Sequence, residues 1–378
     1  MENFNLFATA ASGLEASVKR ELARLGYPNA RAIDGRVEFT GGPEAIAAAN
    51  LHLRCAGRVW VKIGAFRATT FDELFEQTRA LPWGDWIPVD GEFTVIGKSV
   101  KSTLHSVPDC QSIVKKAIVE KLKQKYKVSW FDETGPAYTV AVNLMKDEAV
   151  LAIDTSGSGL HRRGYRENAL SAPLKETLAA ALLELSFWNR ERILMDPCCG
   201  SGTILIEAAL IARNIAPGLS RHFAAEGWAQ VPPGVWKEAR AAAYAAIDYD
   251  FDPELFGGDI DPAAIALAED NAAKAGVDDC IHFRVQPCQE ATLPGHYGCL
   301  MINPPYGDRL GELQEVEDLC RALGRLAASD PTWSAYVMTA MENFEKLFGK
   351  KADAKRKLYN GGIRTDYYQF YGPRPPKK

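Results

Sequence analysis

The sequence predicts an α/β protein: a doubly wound, mostly parallel sheet preceded by smaller α+β modules. Three observations carry this. From residue 191 onward, apolar runs of strand length alternate with segments of helical periodicity in βα order. Turns rich in Gly or Pro follow three of those strands, where such sheets place their ligands. The first 155 residues mix strands and helices without that order, as α+β modules do. At 378 residues, the chain is too long for one ordinary core and implies two or three domains.

Taken in order, FNLFATA is a strand, LEASVKRELARLG a helix stopped by Gly26, and GRVEFTG a strand. RVWVKIGAFRA and GEFTVIGKSV read as strands around the helix FDELFEQTRAL, and YTVAVNLMKDEAVLAID follows as strand. Between them CQSIVKKAIVEKLKQKY repeats Ile113, Ala117, Ile118 and Leu122 at helical spacing. TSGSGLHRRGYRENALSAPL, rich in Gly and Ser, is the junction to the second half. There ERILMD, ELFGGDI, IHFRVQ, YGCLMIN and SAYVMTA are strands, and TILIEAALIARN, PAAIALAEDNAAKAG and VEDLCRALGRLAA are helices. AKRKLYN and TDYYQFYG close the sheet as an antiparallel hairpin.

The composition excludes several classes. With 47% hydrophobic and 24% charged residues the chain is globular rather than disordered. No apolar stretch is long enough to span a membrane. No basic region precedes the first apolar residues, so no secretory leader is expected. The eight cysteines form no CxxC pair, which argues for reduced thiols in a cytoplasmic protein and against a zinc site. The net charge of −4 hides an asymmetry: residues 1–170 sum to about +2 and residues 171–378 to about −6. Residues 101–127 hold seven lysines, Lys115, Lys116, Lys121, Lys123 and Lys125 among them, against Asp109 and Glu120. A solvated helix face accounts for such a run. So does a surface that docks a polyanion by releasing its counterions.

Three strand ends carry the chemistry. Asp196-Pro197-Cys198-Cys199-Gly200-Ser201-Gly202-Thr203 lets the backbone turn sharply and approach a ligand. It is neither a Walker loop nor a full GxGxxG, and Asp196 would repel a phosphate but attract an ammonium group. Gly257-Gly258-Asp259 places a carboxylate suited to ribose hydroxyls, while Asp261 before Pro262 reads as a helix N-cap. Asn303-Pro304-Pro305-Tyr306 is stiff, because proline fixes φ and removes donors. Asn303 Oδ1 and the Pro304 carbonyl could accept two hydrogen bonds from one NH₂ group, and Tyr306 offers a face for a base. Each segment alone also reads as an ordinary tight turn.

Together, DPCCGSGT, GGDID and NPPY resemble motifs one, two and four of the S-adenosylmethionine-dependent methyltransferases that modify amines. LFATAASGLEASVKREL, GRVEFTG, HRRGYR and APLKETLAAALL extend the likeness to nearly the whole chain. The family it resembles is that of the THUMP-domain 23S ribosomal RNA guanine-N2 methyltransferases, the RlmL type in its form with one methyltransferase domain. The resemblance implies a ferredoxin-like region over 1–50, a THUMP RNA-binding domain over 51–158 and a Rossmann-like methyltransferase domain over 165–378. It implies S-adenosylmethionine as cofactor, RNA as partner, and neither metal nor membrane. Asp196, Pro197, Gly200, Gly202, Thr203 and Asp259 would hold the cofactor, flanked by Ala172, Pro173 and Leu174. Asn303, Pro304, Pro305 and Tyr306 would hold the target guanine, and Arg162 and Arg163 would join the lysines on RNA. The family's acid after the next strand falls at Pro287; Gln286, Gln289 or a backbone carbonyl are the available replacements. The alternatives are a transfer RNA guanine methyltransferase, a DNA adenine or protein glutamine methyltransferase, and a catalytically silent RNA-binding assembly factor.

Overall fold

Period-two apolar runs in the N-terminal half form strands, and the segments between them with helical spacing form helices. The computed structural model describes residues 3–166, 174–305 and 312–376. The first half runs β1 (Phe4–Ala10), α1 (Glu15–Arg24), β2 (Arg31–Ile33), β3 (Arg36–Gly41), α2 (Pro43–His52), β4 (Ala56–Arg67), α3 (Phe71–Ala80), β5 (Glu92–Val100), α4 (Val107–Tyr126), β6 (Ala137–Met145) and β7 (Glu148–Asp154). One seven-stranded sheet in the order β2-β3-β1-β4-β7-β6-β5 joins what the sequence divides into a ferredoxin-like and a THUMP region. The segment 138–154 is not one strand. Lys146 and Asp147 take positive φ and turn β6 into β7 as a hairpin. Helix α4 buries Cys110, Val114, Ala117, Ile118 and Leu122, as the apolar spacing requires, while Ile113 is only half-buried.

The second half runs α5 (Glu176–Glu184), β8 (Leu194–Asp196), α6 (Thr203–Ala212), α7 (Pro233–Ala245), β9 (Leu255–Asp259), α8 (Pro262–Ala275), β10 (Ile281–Val285), β11 (Cys299–Ile302), α9 (Glu312–Ala328), β12 (Ser334–Thr339), α10 (Phe344–Phe348), β13 (Ala354–Asn360) and β14 (Ile363–Phe370). Its sheet has the order β10-β9-β8-β11-β12-β14-β13. Strands β10 to β12 pair in parallel, and β14 runs antiparallel to both its neighbours. This is the mostly parallel α/β fold that the sequence predicts. Leu300, Ile302, Leu323, Val337, Phe344 and Tyr368 are fully buried on one face of it.

The chain divides into two units that interleave in sequence. Unit 1 is Met1–Thr9, Lys19–Leu160 and His222–Ala242; unit 2 is Ala10–Val18, His161–Arg221 and Ala243–Lys378. The segment 222–242, inside the stretch 165–378 that the resemblance assigns to the methyltransferase domain, packs into unit 1. Trp228 stacks on Tyr138 at 4.8 Å between ring centroids, and the Gln230 amide donates to the Trp86 carbonyl at 3.3 Å. An indole buried against a β6 side chain fixes the segment there.

Candidate active site

The carboxyl ends of β8, β9 and β11, three adjacent strands of unit 2, build one site. Asp196 ends β8 and is 2% exposed. Its Oδ1 accepts from the Cys198 amide at 3.1 Å. Burial, helped by the nearby Asp259 carboxylate, pushes its pKa up to about 8 against the inward pull of that hydrogen bond. Asp259 ends β9 and accepts two backbone donors, Gly200 N at 2.9 Å and Asp261 N at 3.0 Å. One carboxylate thus ties the turn after β8 to the turn after β9. The Cys199 amide adds a bond to the Gly258 carbonyl at 2.8 Å.

The glycines in the first turn serve different ends. Gly202 caps α6 at φ +76°, and a Cβ there would stand 3.1 Å from Ala268 and Phe283. Gly200, at φ +51°, faces open space, so its backbone is the one a ligand can approach. Asp261 is the N-cap of α8 foreseen from the sequence, accepting from Ala263 N at 2.9 Å.

A cavity of about 610 Å³ opens over these turns, lined by Pro197, Gly200, Asp259, Asn303 and Pro305 among the expected residues. Pro304 is buried beside it, and Asn303 is half-buried. Thr203 is buried at the start of α6, its hydroxyl 3.3 Å from that of Ser201. It builds the helix start instead of lining the cavity. Leu174 is buried; Ala172, Pro173 and Tyr306 lie outside the described residues.

Sequence reasoning missed other lining residues. Ile260 is 70% exposed at the cavity. An isoleucine set between two acids in the turn after a strand, Asp259-Ile260-Asp261, is the sequence signal that could have found it. Val316 and Leu319 line the cavity from α9, a segment read from the sequence only as a helix. Of the replacements for the acid expected at Pro287, Gln289 lines the cavity, whereas the Gln286 side chain donates to the Glu290 carbonyl at 2.7 Å.

The basic residues fare unevenly. Arg163 is buried, its guanidinium 3.3 Å from both Glu207 oxygens, with the Tyr165 hydroxyl 3.2 Å from the same carboxylate. Its expected role on RNA is therefore corrected: a group sealed beside a buried carboxylate holds the fold. Arg162, next to it, is exposed. On α4, Lys115 and Lys116 are exposed, with ammonium groups 5.6 Å and 5.7 Å from the Phe93 and Phe75 rings. Lys121 and Lys123 are half-buried, and Lys125 is bound to Asp85 at 2.8 Å and to the Gly84 carbonyl.

Comparison with known proteins shows the family of the chain. The model of the RMKL-like methyltransferase domain matches residues 163–369, that of the RlmL ferredoxin-like domain 5–60, and that of the THUMP domain 68–154. A Bacillus subtilis (strain 168) protein named "Putative RNA methyltransferase YpsC" is 49% identical over 381 residues, covering 100% of this chain and 99% of its own. A solved Listeria monocytogenes protein, named a "predicted N6-adenine-specific DNA methylase", superposes with a TM-score of 0.95 at 52% identity, over 99% of this chain and 97% of that one. SMU.472, solved as "a putative methyltransferase complexed with SAH", superposes with a TM-score of 0.94 at 43% identity over the whole of both chains. TrmN from Thermus thermophilus shares the fold at 21% identity and a TM-score of 0.71, over 98% of this chain and 100% of its own.

Proposed function

The chain belongs to the RMKL-like methyltransferase family, with RlmL-type ferredoxin-like and THUMP domains ahead of the catalytic one, and uses S-adenosylmethionine; from that premise we propose that it methylates the exocyclic N2 amine of a guanine in RNA, 23S ribosomal RNA foremost. The observation that supports this most is the shared cavity. It brings the Asn303–Pro305 turn to the same strand edge as Asp259 and the open backbone of Gly200.

The residues present fit the cofactor. Asp259 stands at the cavity with a carboxylate for ribose hydroxyls, and Ile260 offers an apolar surface for a flat base. Asp196, buried below the turn, is suited to an ammonium group, because a cation nearby repays the cost of ionising a buried acid. When bound, the cofactor supplies an electrophilic methyl group on a sulfonium. The chain's part is to hold and orient the acceptor. Asn303 Oδ1 and the Pro304 carbonyl accept from the two N–H bonds of the guanine amine, which directs its nitrogen toward the cavity. Such positioning supplies much of the rate in a group transfer. The amine proton becomes acidic only after transfer, so no dedicated base is required.

The THUMP domain supports RNA as the acceptor polymer, and the RNA methyltransferase name carried by the Bacillus relative points the same way. The Listeria relative's name points to adenine in DNA, so the test has to separate the two. Protein incubated with labelled cofactor and either total RNA or DNA should label RNA. Sizing separates ribosomal from transfer RNA, and nucleoside mass spectrometry should give N2-methylguanosine. A methylated adenine, or label in DNA alone, would overturn the assignment. Asn303→Ala should keep cofactor binding and lose roughly 10²–10³ in transfer rate, as when one preorganised polar contact is removed.

A further inference from the structure

The run KKADAKRKLYNGGIR, residues 350–364, carries six cations, Lys350, Lys351, Lys355, Arg356, Lys357 and Arg364, against one carboxylate, Asp353. It lies in a half of the chain whose overall charge is negative, and it forms most of the β13–β14 hairpin. We propose that the tip of this hairpin is an RNA-backbone docking element on the methyltransferase unit, gripping the strand that carries the target base; this rests on the reading of the chain as an RNA methyltransferase.

Register places the tip. The last β12–β14 pair is Thr339 with Asp366. The β13–β14 ladder continues for three more pairs: Leu358 with Thr365, Tyr359 with Arg364, and Asn360 with Ile363. Strand β12 runs parallel to β11, with Ile302 beside Val337, so its Thr339 end is the same edge of the sheet from which Asn303 emerges. The hairpin therefore overhangs the catalytic edge by three residues, about 10 Å. Strand β14 stands two strands from β11 and β13 three, about 10 Å and about 14 Å sideways.

Alternation sorts the side chains. Leu358 and Thr365 turn inward and are buried. Lys357, Tyr359 and Arg364 share the opposite face and are exposed, the Tyr359 ring at 42%. Asp366, directly across from Lys357, is engaged by Lys355 at 3.1 Å. Among the described residues Lys357, Arg356 and Arg364 have no carboxylate partner. Arg356 alternates onto the Leu358 face, so two unpaired cations, Lys357 and Arg364, flank the exposed Tyr359 ring on the overhanging hairpin, and an RNA strand satisfies both the charge and the ring. The lateral distance suits nucleotides flanking a base held at Asn303. A base drawn out of its stack needs its neighbours gripped while it is displaced.

The test uses the full-length protein. Lys357→Ala with Arg364→Ala should weaken binding of single-stranded ribosomal RNA roughly ten-fold at moderate salt, and reduce the slope of log affinity against log salt by about 1.4, two phosphates' worth. Affinity for S-adenosylhomocysteine should not change, which shows that unit 2 is folded. Lys357→Arg with Arg364→Lys should restore both affinity and slope. Tyr359→Ala should weaken binding at least roughly five-fold with no change in slope, the mark of a stacking contact. In turnover assays the double alanine variant should raise KM for RNA while kcat at saturating RNA stays within about two-fold. An unchanged salt slope overturns the proposal even if the wild type methylates RNA. Equal loss of affinity for polyglutamate overturns it in favour of an acidic protein partner. Methylation of DNA alone by the wild type would overturn the parent reading, and the RNA salt slopes of the variants would still decide this one.

Discussion

Asp196 shows how burial and function meet in one side chain. Its pKa is raised to about 8, first by burial and then by Asp259. Only its ionised form can hold an ammonium group. Cofactor affinity should therefore fall about ten-fold per pH unit well below pH 8, and level off above it; calorimetry from pH 6 to 9 measures this. Asp196→Asn should bind weakly at every pH. The stability of the free protein runs the other way. The folded state keeps the Asp196 proton up to about pH 8, while the unfolded chain loses it near pH 4, so this residue's contribution to stability declines as pH rises across that window. Asp196→Asn should thus melt at a higher temperature than the wild type at pH 9. The residue types at the site were legible because DPCCGSGT, GGDID and NPPY constrain the backbone as well as the chemistry. Arg163 was misread because an arginine in a Gly-rich junction looks exposed until its carboxylate, Glu207, is brought to it across 44 positions of chain. Arg163→Ala should leave Glu207 buried without its cation, costing about 3–5 kcal/mol in chemical denaturation. It should leave the salt dependence of RNA binding unchanged.

At the level of elements, the β-strands of unit 2 were plain in the sequence because parallel strands covered on both faces read as short unbroken apolar runs, as CLMI and SAYVMT do. Helix α7 and the segment before it were not, since their apolar residues serve unit 1 and match no strand of the sheet they interrupt. The β6–β7 hairpin was hidden because its turn uses Lys146 and Asp147 at positive φ, where Asn or Gly would have announced it. Helix α4 was legible in period and core face, yet its lysines are not equivalent. Replacing Lys115, Lys116, Lys121 and Lys123 by Ala should lower the RNA salt slope by up to about 3, while Lys125→Ala, which loses its ties to Asp85 and the Gly84 carbonyl, should not change it. Filter binding at graded salt compares the two variants. A quadruple variant with the wild-type slope would make α4 a solvated face and nothing more.

For the whole molecule, the interleaving of the two units has a direct experimental cost. A fragment spanning 165–378 contains Trp228 but not Tyr138 or Trp86, whose rings stand 4.8 Å and 6.3 Å from it in the full chain. Such a fragment should expose that indole and bind a hydrophobic dye, whereas the intact protein should not. In the intact chain Trp228→Ala should destabilise unit 1 by about 3–5 kcal/mol and leave cofactor affinity unchanged, which separate melting and calorimetry would show. The same connectivity also sets a timetable during synthesis. Unit 1 lacks its closing segment until Ala242 has been made, 82 residues after Leu160 (242 less 160). At ribosomal speeds of about 5–20 residues per second that is an interval of roughly 4–16 s, in which the surface awaiting Trp228 stays open on the nascent chain. Residues 10–18, among the first to be made, wait longer still for the unit to which they belong. Translation speed between codons 160 and 242 therefore sets how long unit 1 stays incomplete.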